Sequence, residues 1–167
     1  DLGVRLARAV NDDMAQAHTG FPDRFVGLAT LPMQEPKLAI EELSRAARLP
    51  GIRGVYLGTN ILGRELSDPD FFPVYERMEA LRLPLFLHPV VVIGAERLAP
   101  YYLGNLLGNP FDSAVAAAHL IFGGVLDRFK RLTVCLPHAG GAFPYLVGRL
   151  SRGWKVRSEC KHLRRPP

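Results

Sequence analysis

The sequence predicts an α/β fold built on a parallel sheet, and three observations predict it. Short apolar runs of strand length alternate with longer stretches that carry apolar residues at helical spacing. The 14 prolines and 16 glycines are spread along the chain as turn punctuation rather than gathered in a disordered tract. Two histidines each close an apolar run, in Leu85-Phe86-Leu87-His88-Pro89 and in Leu132-Thr133-Val134-Cys135-Leu136-Pro137-His138. A helical stretch between them would bring both imidazoles to the same end of a parallel sheet, where α/β enzymes keep their chemistry.

Taken in order, residues 4–18 read as a helix, with Val4, Leu6, Ala9, Val10, Met14 and Ala17 as its apolar stripe. Gly20 caps it and Phe21-Pro22 stops it. Phe25 to Leu31 is a buried strand ended by Pro32. Pro36 opens a helix continued by Leu38, Ile40, Leu43, Ala46 and Ala47, with Glu41 and Arg45 as an i,i+4 charge pair on its outer face. Ile52 to Leu57 is the next strand, and Gly58 to Gly63 the loop after it. Asp68 reads as an N-cap with Pro69 at the first helical position. Phe71, Val74, Tyr75, Met78 and Leu81 then form an inward stripe, broken by Pro84. Leu85 to His88 is strand again, followed by a long loop over residues 89–109. Helices follow at about Phe111 to Ile121 and Val125 to Phe129, then a last strand from Leu132 to Leu136. Gly140-Gly141 leads into a final helix from Pro144 to Val156.

The order is one helix followed by four β-α units. Strict alternation with apolar strands implies parallel pairing with helices outside. Four such units amount to half of an eight-fold (β/α)₈ barrel, which typically needs about 250 residues. A small open α/β sheet is the alternative.

Composition narrows the classes of function. The chain has 167 residues, 48% of them hydrophobic, with mean hydropathy +0.06, which suits one folded unit with a real core. No apolar run is long enough to cross a bilayer and no signal-like segment opens the chain, so no membrane partner is expected. The first residue is Asp1, so this is not expected to be the start of the gene product. The net charge of +5 and pI of about 9.6 draw on Arg149, Arg152, Lys155, Arg157, Lys161, Arg164 and Arg165 near the C-terminus. No aromatic interleaving or binding motif accompanies them, so they read as a solvated or subunit-contacting helix end and not as a nucleic-acid surface. Cys135 and Cys160 make no disulfide framework, and a reducing, cytoplasmic setting is expected. Cys135 lies mid-strand and is expected to be buried filler.

Neighbouring strands lie about 4.8 Å apart, so His88 and His138 can converge on one ion or one substrate. Two ligands do not make a metal site, and spacing alone leaves a metal role and a packing role open. Gly140-Gly141 removes side chains beside His138, which permits close approach by a ligand and aims a helix N-terminus at it. Loop 89–109 reads as a lid whose ligand-facing members are Tyr101, Tyr102 and Asn105. Asp112 reads as the cap of the following helix, with a substrate role near the mouth as the alternative. Arg24, Arg53, Glu76 and Glu79 read as surface charges, His119 as a packing residue, and His18 and His162 as histidines with no visible partner.

Several stretches together carry a family resemblance: Asn11-Asp12-Asp13-Met14-Ala15, Pro22-Asp23-Arg24-Phe25-Val26-Gly27-Leu28-Ala29-Thr30-Leu31-Pro32-Met33-Gln34, Phe72-Pro73-Val74-Tyr75, Leu87-His88-Pro89, Gly123-Gly124-Val125 and His138-Ala139-Gly140-Gly141-Ala142-Phe143-Pro144. Over nearly all of residues 10–157 the chain resembles the metal-dependent decarboxylase branch of the amidohydrolase superfamily. The resemblance implies a distorted (β/α)₈, TIM-like barrel, a homodimer, and a divalent metal, zinc first and manganese second. It implies His88 as a metal ligand and His138 as the catalytic histidine that exchanges protons. It implies Arg149 as a residue reaching the substrate carboxylate of the neighbouring subunit. Tyr102 falls where the resembled enzymes have a pocket-lining tryptophan, and Ala139 where a glycine is common. The family's paired His-x-His and its late aspartate ligand have no counterpart here, so one of four usual ligands is present.

The resulting expectation is that residues 1–167 form a single central fragment of an amidohydrolase-type barrel domain, about four β-α units long and inactive alone. The expected activity of the whole is non-oxidative decarboxylation of a small conjugated or aromatic carboxylic acid. The alternatives are a metal-dependent hydrolase of a lactone or amide, and a truncated, non-catalytic paralogue.

Overall fold

The structure is a computed structural model describing residues 2–167. The elements run α1 (Leu2–Gly20), β1 (Gly27–Thr30), α2 (Pro36–Ala46), β2 (Ile52–Leu57), β3 (Asn60–Ile61), β4 (Arg64–Glu65), α3 (Phe72–Leu81), β5 (Leu85–Leu87), α4 (Asn109–Phe122), α5 (Val125–Arg128), β6 (Val134–Cys135) and α6 (Phe143–Val156). They fall into two compact units. One comprises residues 1–57, 69–86 and 131–135; the other comprises residues 58–68, 87–130 and 136–167.

The first unit carries the sheet, whose order β1-β2-β5-β6 follows the chain. β1 pairs with β2 in parallel, Ala29 against Val55, and β5 with β6 in parallel, Leu85 against Val134. Parallel neighbours need a crossover between them, which α2 supplies between β1 and β2. Gly54 sits where a Cβ would meet Leu28 at 2.9 Å and the Pro84 carbonyl at 3.0 Å, so a side chain there would push neighbouring strands apart. Ala29, Ala46 and Ile52 form a core cluster against which Met14 and Leu49 pack. Phe71 just before α3, and Val74, Tyr75 and Met78 on it, are fully buried, as the 3.6-residue period predicts. Truncating a buried aromatic such as Phe71 to Ala typically costs about 3–5 kcal/mol.

A polar network ties α1, β1 and α2 together. Glu42 is fully buried and accepts hydrogen bonds from Asn11 Nδ2 at 2.7 Å and from Arg45 Nε and Nη2, both at 2.8 Å. Arg8 Nε reaches the same carboxylate at 3.3 Å. Asn11 also donates to the Thr30 carbonyl at 3.0 Å and accepts from the Thr30 amide at 2.8 Å. Burial alone would push the Glu42 carboxyl up, but the hydrogen bonds from Arg45 and Asn11 and the Arg45 charge outweigh it and hold the group below its ordinary value of 4.5.

This network corrects two expectations. Arg45 pairs with Glu42 and with Asp12, the latter at 2.6 Å, and not with the exposed Glu41. The buried line of α1 is Ala7, Asn11 and Ala15, whereas Leu6 and Val10 are exposed. A polar residue at the centre of a buried face rotates the helix away from the stripe that apolar residues alone would choose. The start of β1 is also shorter than expected, because Phe25 and Val26 are exposed. Asp68 forms an ion pair with Arg64 at 2.8 Å and precedes a short 3₁₀ turn, Pro69–Phe71, that leads into α3. Cys135 is exposed, contrary to the expected buried filler, because β6 has only two residues and shows that side chain outward.

In the second unit α4 packs on α5 and α6. The expected plain loop after β2 holds a small antiparallel hairpin, β3 with β4. The segment 89–109 contains a 3₁₀ turn at Pro100–Tyr102 and a π-helical turn at Gly104–Gly108 that runs directly into α4. The buried face of α4 is Asp112, Ser113, Ala114, Ala116, Ala117 and Leu120.

Candidate active site

Both histidines lie in the second unit. His88 directly follows β5 and is half-buried; its Nδ1 lies 2.9 Å from the Pro89 carbonyl, so Nδ1 carries the proton and Nε2 the lone pair. His138 follows β6 by three residues and opens a 3₁₀ turn, His138–Gly140. The two rings meet edge to face with centroids 5.2 Å apart. The convergence expected from the strand ends is therefore present.

The backbone at His138 is strained. Four successive residues have positive φ: His138 at 53°, Ala139 at 51°, Gly140 at 86° and Gly141 at 57°. For a residue with a Cβ that conformation costs roughly 1–2 kcal/mol, and such strain gathers at functional sites. The glycine pair makes the turn possible, and Gly141 also lets the chain approach itself closely. A Cβ on Gly141 would lie 2.2 Å from the Pro110 carbonyl oxygen, and the Ala142 amide donates to that same oxygen at 3.0 Å. The close approach is thus between the turn and the start of α4. Ala139 occupies a left-handed position, which gives a physical reason for glycine there in similar sequences.

Desolvation of the ring and the neighbouring His88 charge both push His138 below the ordinary imidazole value of 6.5. Two imidazolium charges at the 5.2 Å ring separation would repel by about 1 kcal/mol even with water-like screening. At neutral pH His138 is consequently a neutral base.

Asp112 and Ser113 lie on the buried face of α4, and sequence reasoning did not single out Ser113. Asp112 is buried and accepts hydrogen bonds from the Thr59 hydroxyl and, at 3.0 Å, from the Ile93 amide. It therefore pins the segments after β2 and β5 to α4 and does not cap the helix, whose N-terminus has no side-chain cap. Ser113, fully buried, lies 3.3 Å from His138 Nδ1 through its Oγ. Only the acidic residue at a helix start hinted at this cluster, since Thr59 and Ile93 are remote in sequence. His119 has polar neighbours, Ser67 Oγ at 3.2 Å and Glu65 Oε2 at 3.7 Å, instead of a packing role. His18, for which no partner was expected, lies with Nδ1 2.7 Å from the Phe25 carbonyl.

Tyr102 and Tyr101 are exposed, at 71% and 87%, and both hold positive φ, 61° and 57°. Arg149 is exposed on α6, a helix with no buried residue. Neither Tyr102 nor Arg149 makes a side-chain hydrogen bond or ion pair among the described residues. The structure brings together His88 and His138, and leaves Tyr102 and Arg149 at the surface.

His88 has the arrangement of a ligand histidine, with Nδ1–H held by a carbonyl so that Nε2 is the donor. Among the described residues, however, no group of three or more His, Cys, Asp or Glu side chains is placed to hold a metal ion. The chain offers a ligand, not a complete coordination set, against the three or four protein ligands of a typical zinc site.

A four-strand parallel sheet in chain order, with helices between its strands, is a (β/α) layout. The chain belongs to the amidohydrolase family, whose model matches residues 3–167. It is 40% identical over 154 residues to a 2-amino-3-carboxymuconate-6-semialdehyde decarboxylase from Dictyostelium discoideum, covering 92% of this chain and 43% of that one. Among solved structures it is similar to a 5-carboxyvanillate decarboxylase from Sphingomonas paucimobilis, with TM-score 0.89, 31% identity, and coverage of 98% of this chain and 50% of that one. A second 5-carboxyvanillate decarboxylase, from Novosphingobium aromaticivorans and with bound manganese, gives TM-score 0.88 at 27% identity over 97% of this chain and 49% of that one. The chain spans about half the length of the curated relatives it matches. Its fold is α/β, a stretch of four β-α units of the TIM-barrel amidohydrolase type. Among the described residues no helix is long and apolar enough to cross a membrane.

Proposed function

We propose that residues 1–167 are the central stretch of an amidohydrolase-type barrel domain that decarboxylates a small conjugated or aromatic carboxylic acid without oxidation. The observation that carries this reading is the edge-to-face pair of His88 and His138, 5.2 Å apart, with His138 on a strained turn. The resemblance to decarboxylases over most of the chain supports the same reaction class.

In this reading His88 would be one of the residues that hold a divalent ion, zinc or manganese. Such an ion, when bound, supplies positive charge that polarises the substrate and stabilises charge developing on its oxygen atoms. His138 handles the proton. As a neutral base it takes a proton at Nε2 and returns it to the carbon that bears the carboxylate. A carbon–hydrogen bond forms there, the bond to the carboxyl carbon breaks, its electron pair restores the conjugated system, and carbon dioxide leaves. The net change is one carboxylate and one proton converted to one carbon–hydrogen bond and one carbon dioxide. Arg149 offers a planar fork for the carboxylate of a substrate bound by the neighbouring subunit of a homodimer, and Tyr102 lines the pocket.

Product analysis on the full-length, metal-loaded protein tests this. Stoichiometric carbon dioxide from an aromatic or muconate-type acid is the expected result. A ring-opened acid formed without gas would replace the proposal with a hydrolase. In a decarboxylase, Arg149→Ala is expected to raise KM for the acid by about tenfold or more, given the strength of charge-assisted bonds to carboxylates.

A further inference from the structure

We propose that Ser113 is a positioning residue that fixes His138 as the Nδ1–H tautomer, so that Nε2 is the nitrogen presented for chemistry. The inference deepens the proton-handling role given to His138 and rests on it for its functional meaning, though the tautomer itself can be read independently.

Ser113 is fully buried in the first turns of α4, and its hydroxyl has a single proton. That proton is committed to the Asn109 carbonyl at 2.8 Å. Toward His138 Nδ1, at 3.3 Å, the same oxygen is left to accept. His138 must then carry its proton on Nδ1, because the partner of one ring nitrogen sets the state of the other. Free neutral histidine in water favours the opposite, Nε2–H form, so the serine would be working against an intrinsic preference. Nothing else in the turn does this work. The backbone tie between Ala142 and Pro110 and the close contact of Gly141 with Pro110 fix where the turn sits on α4, but neither touches the ring. The first turns of α4 thus hold the histidine's loop through Pro110 and its tautomer through Ser113. His88 reaches the same Nδ1–H state by a separate route, through the Pro89 carbonyl, and serves as an internal reference.

The test is long-range ¹H–¹⁵N correlation spectroscopy of the ¹⁵N-labelled 167-residue chain, metal-free, in alkaline buffer, with His138 assigned through His138→Gln. Wild type is expected to show the Nδ1–H pattern at His138. Ser113→Ala should convert it to a mixture dominated by Nε2–H, Ser113→Thr should retain it, and His88 should remain Nδ1–H throughout, which reports that the fold is intact. An Nε2–H pattern at His138 in wild type, or an unchanged pattern in Ser113→Ala, overturns the proposal. In the full-length enzyme Ser113→Ala should lower kcat with KM nearly unchanged and Ser113→Thr should recover most of it. A loss of kcat with an unchanged tautomer would also overturn it. If His138→Ala left decarboxylation intact, the functional reading would fall while the tautomer result stood.

Discussion

Two polar clusters in this chain are built in opposite ways. In the first unit Glu42 is fully buried and has hydrogen bonds from three side chains, Asn11, Arg45 and Arg8, with Asn11 extending the net to both backbone groups of Thr30. In the second unit His88 and His138 are more accessible, His138 sits on strained backbone, and each ring has a polar neighbour at Nδ1. The first arrangement satisfies every lone pair it buries, which is what a structural network must do. The second keeps reactive nitrogen at hand and holds it in a conformation that local backbone preference opposes. A titratable residue that is saturated serves the fold; one that is oriented by one atom and presented by another serves chemistry.

That contrast is broken or sharpened most strongly by deletion. Glu42→Ala leaves Arg45 and Asn11 without their shared partner and should destabilise the chain by about 3–5 kcal/mol in a denaturant melt. His138→Ala should change stability by no more than about 1 kcal/mol in the same measurement. Equal losses from the two substitutions would erase the distinction. Asn11→Ala should fall between them, at about 1–3 kcal/mol, since it strands the Thr30 amide as well as part of the Glu42 carboxylate.

Acid should act on the first cluster in a defined direction. The folded-state pKa of Glu42 is depressed, so the unfolded chain takes up its proton first as pH falls. The stabilisation is complete above the ordinary value of 4.5 and is lost progressively below it, until the folded group itself protonates. Chemical denaturation at a series of pH values should show this slope in wild type and a shallower one in Glu42→Gln. The smallest effect is expected at the turn itself. Ala139→Gly removes the strain of a left-handed alanine but adds freedom to the unfolded chain, and should stabilise by about 0.5–1 kcal/mol. A loss of stability there would mean that the turn is not strained as its φ values indicate.

Much of this was readable from the sequence where a single period or a local breaker decided the outcome. The bounds of β2 are those expected, and the stripe Phe71, Val74, Tyr75 and Met78 is buried as its spacing requires. The two histidines meet because strands that follow one another in the chain also neighbour one another in the sheet. What could not be read depended on polar residues with distant partners. Asn11 displaces the apolar stripe of α1 through bonds to Thr30 and Glu42, and no count of apolar positions registers that. Asp112 looked like a helix cap because its true partners, Thr59 and Ile93, belong to other segments. The Gly140-Gly141 pair did signal an unusual backbone, but the close approach of Gly141 to Pro110 could not be read from the sequence. The roles given to Arg149 and Tyr102 still rest on resemblance, since both side chains stand at the surface.

The account's central claim is that His138 moves the proton that replaces the carboxylate. Turnover of the full-length, metal-loaded enzyme in deuterated water measures it directly. The wild type should place one deuterium on the carbon that lost carbon dioxide, and His138→Ala should cut the rate of that incorporation by about 10²–10⁴-fold, the usual contribution of a general acid–base group. Undiminished incorporation in His138→Ala would contradict the claim.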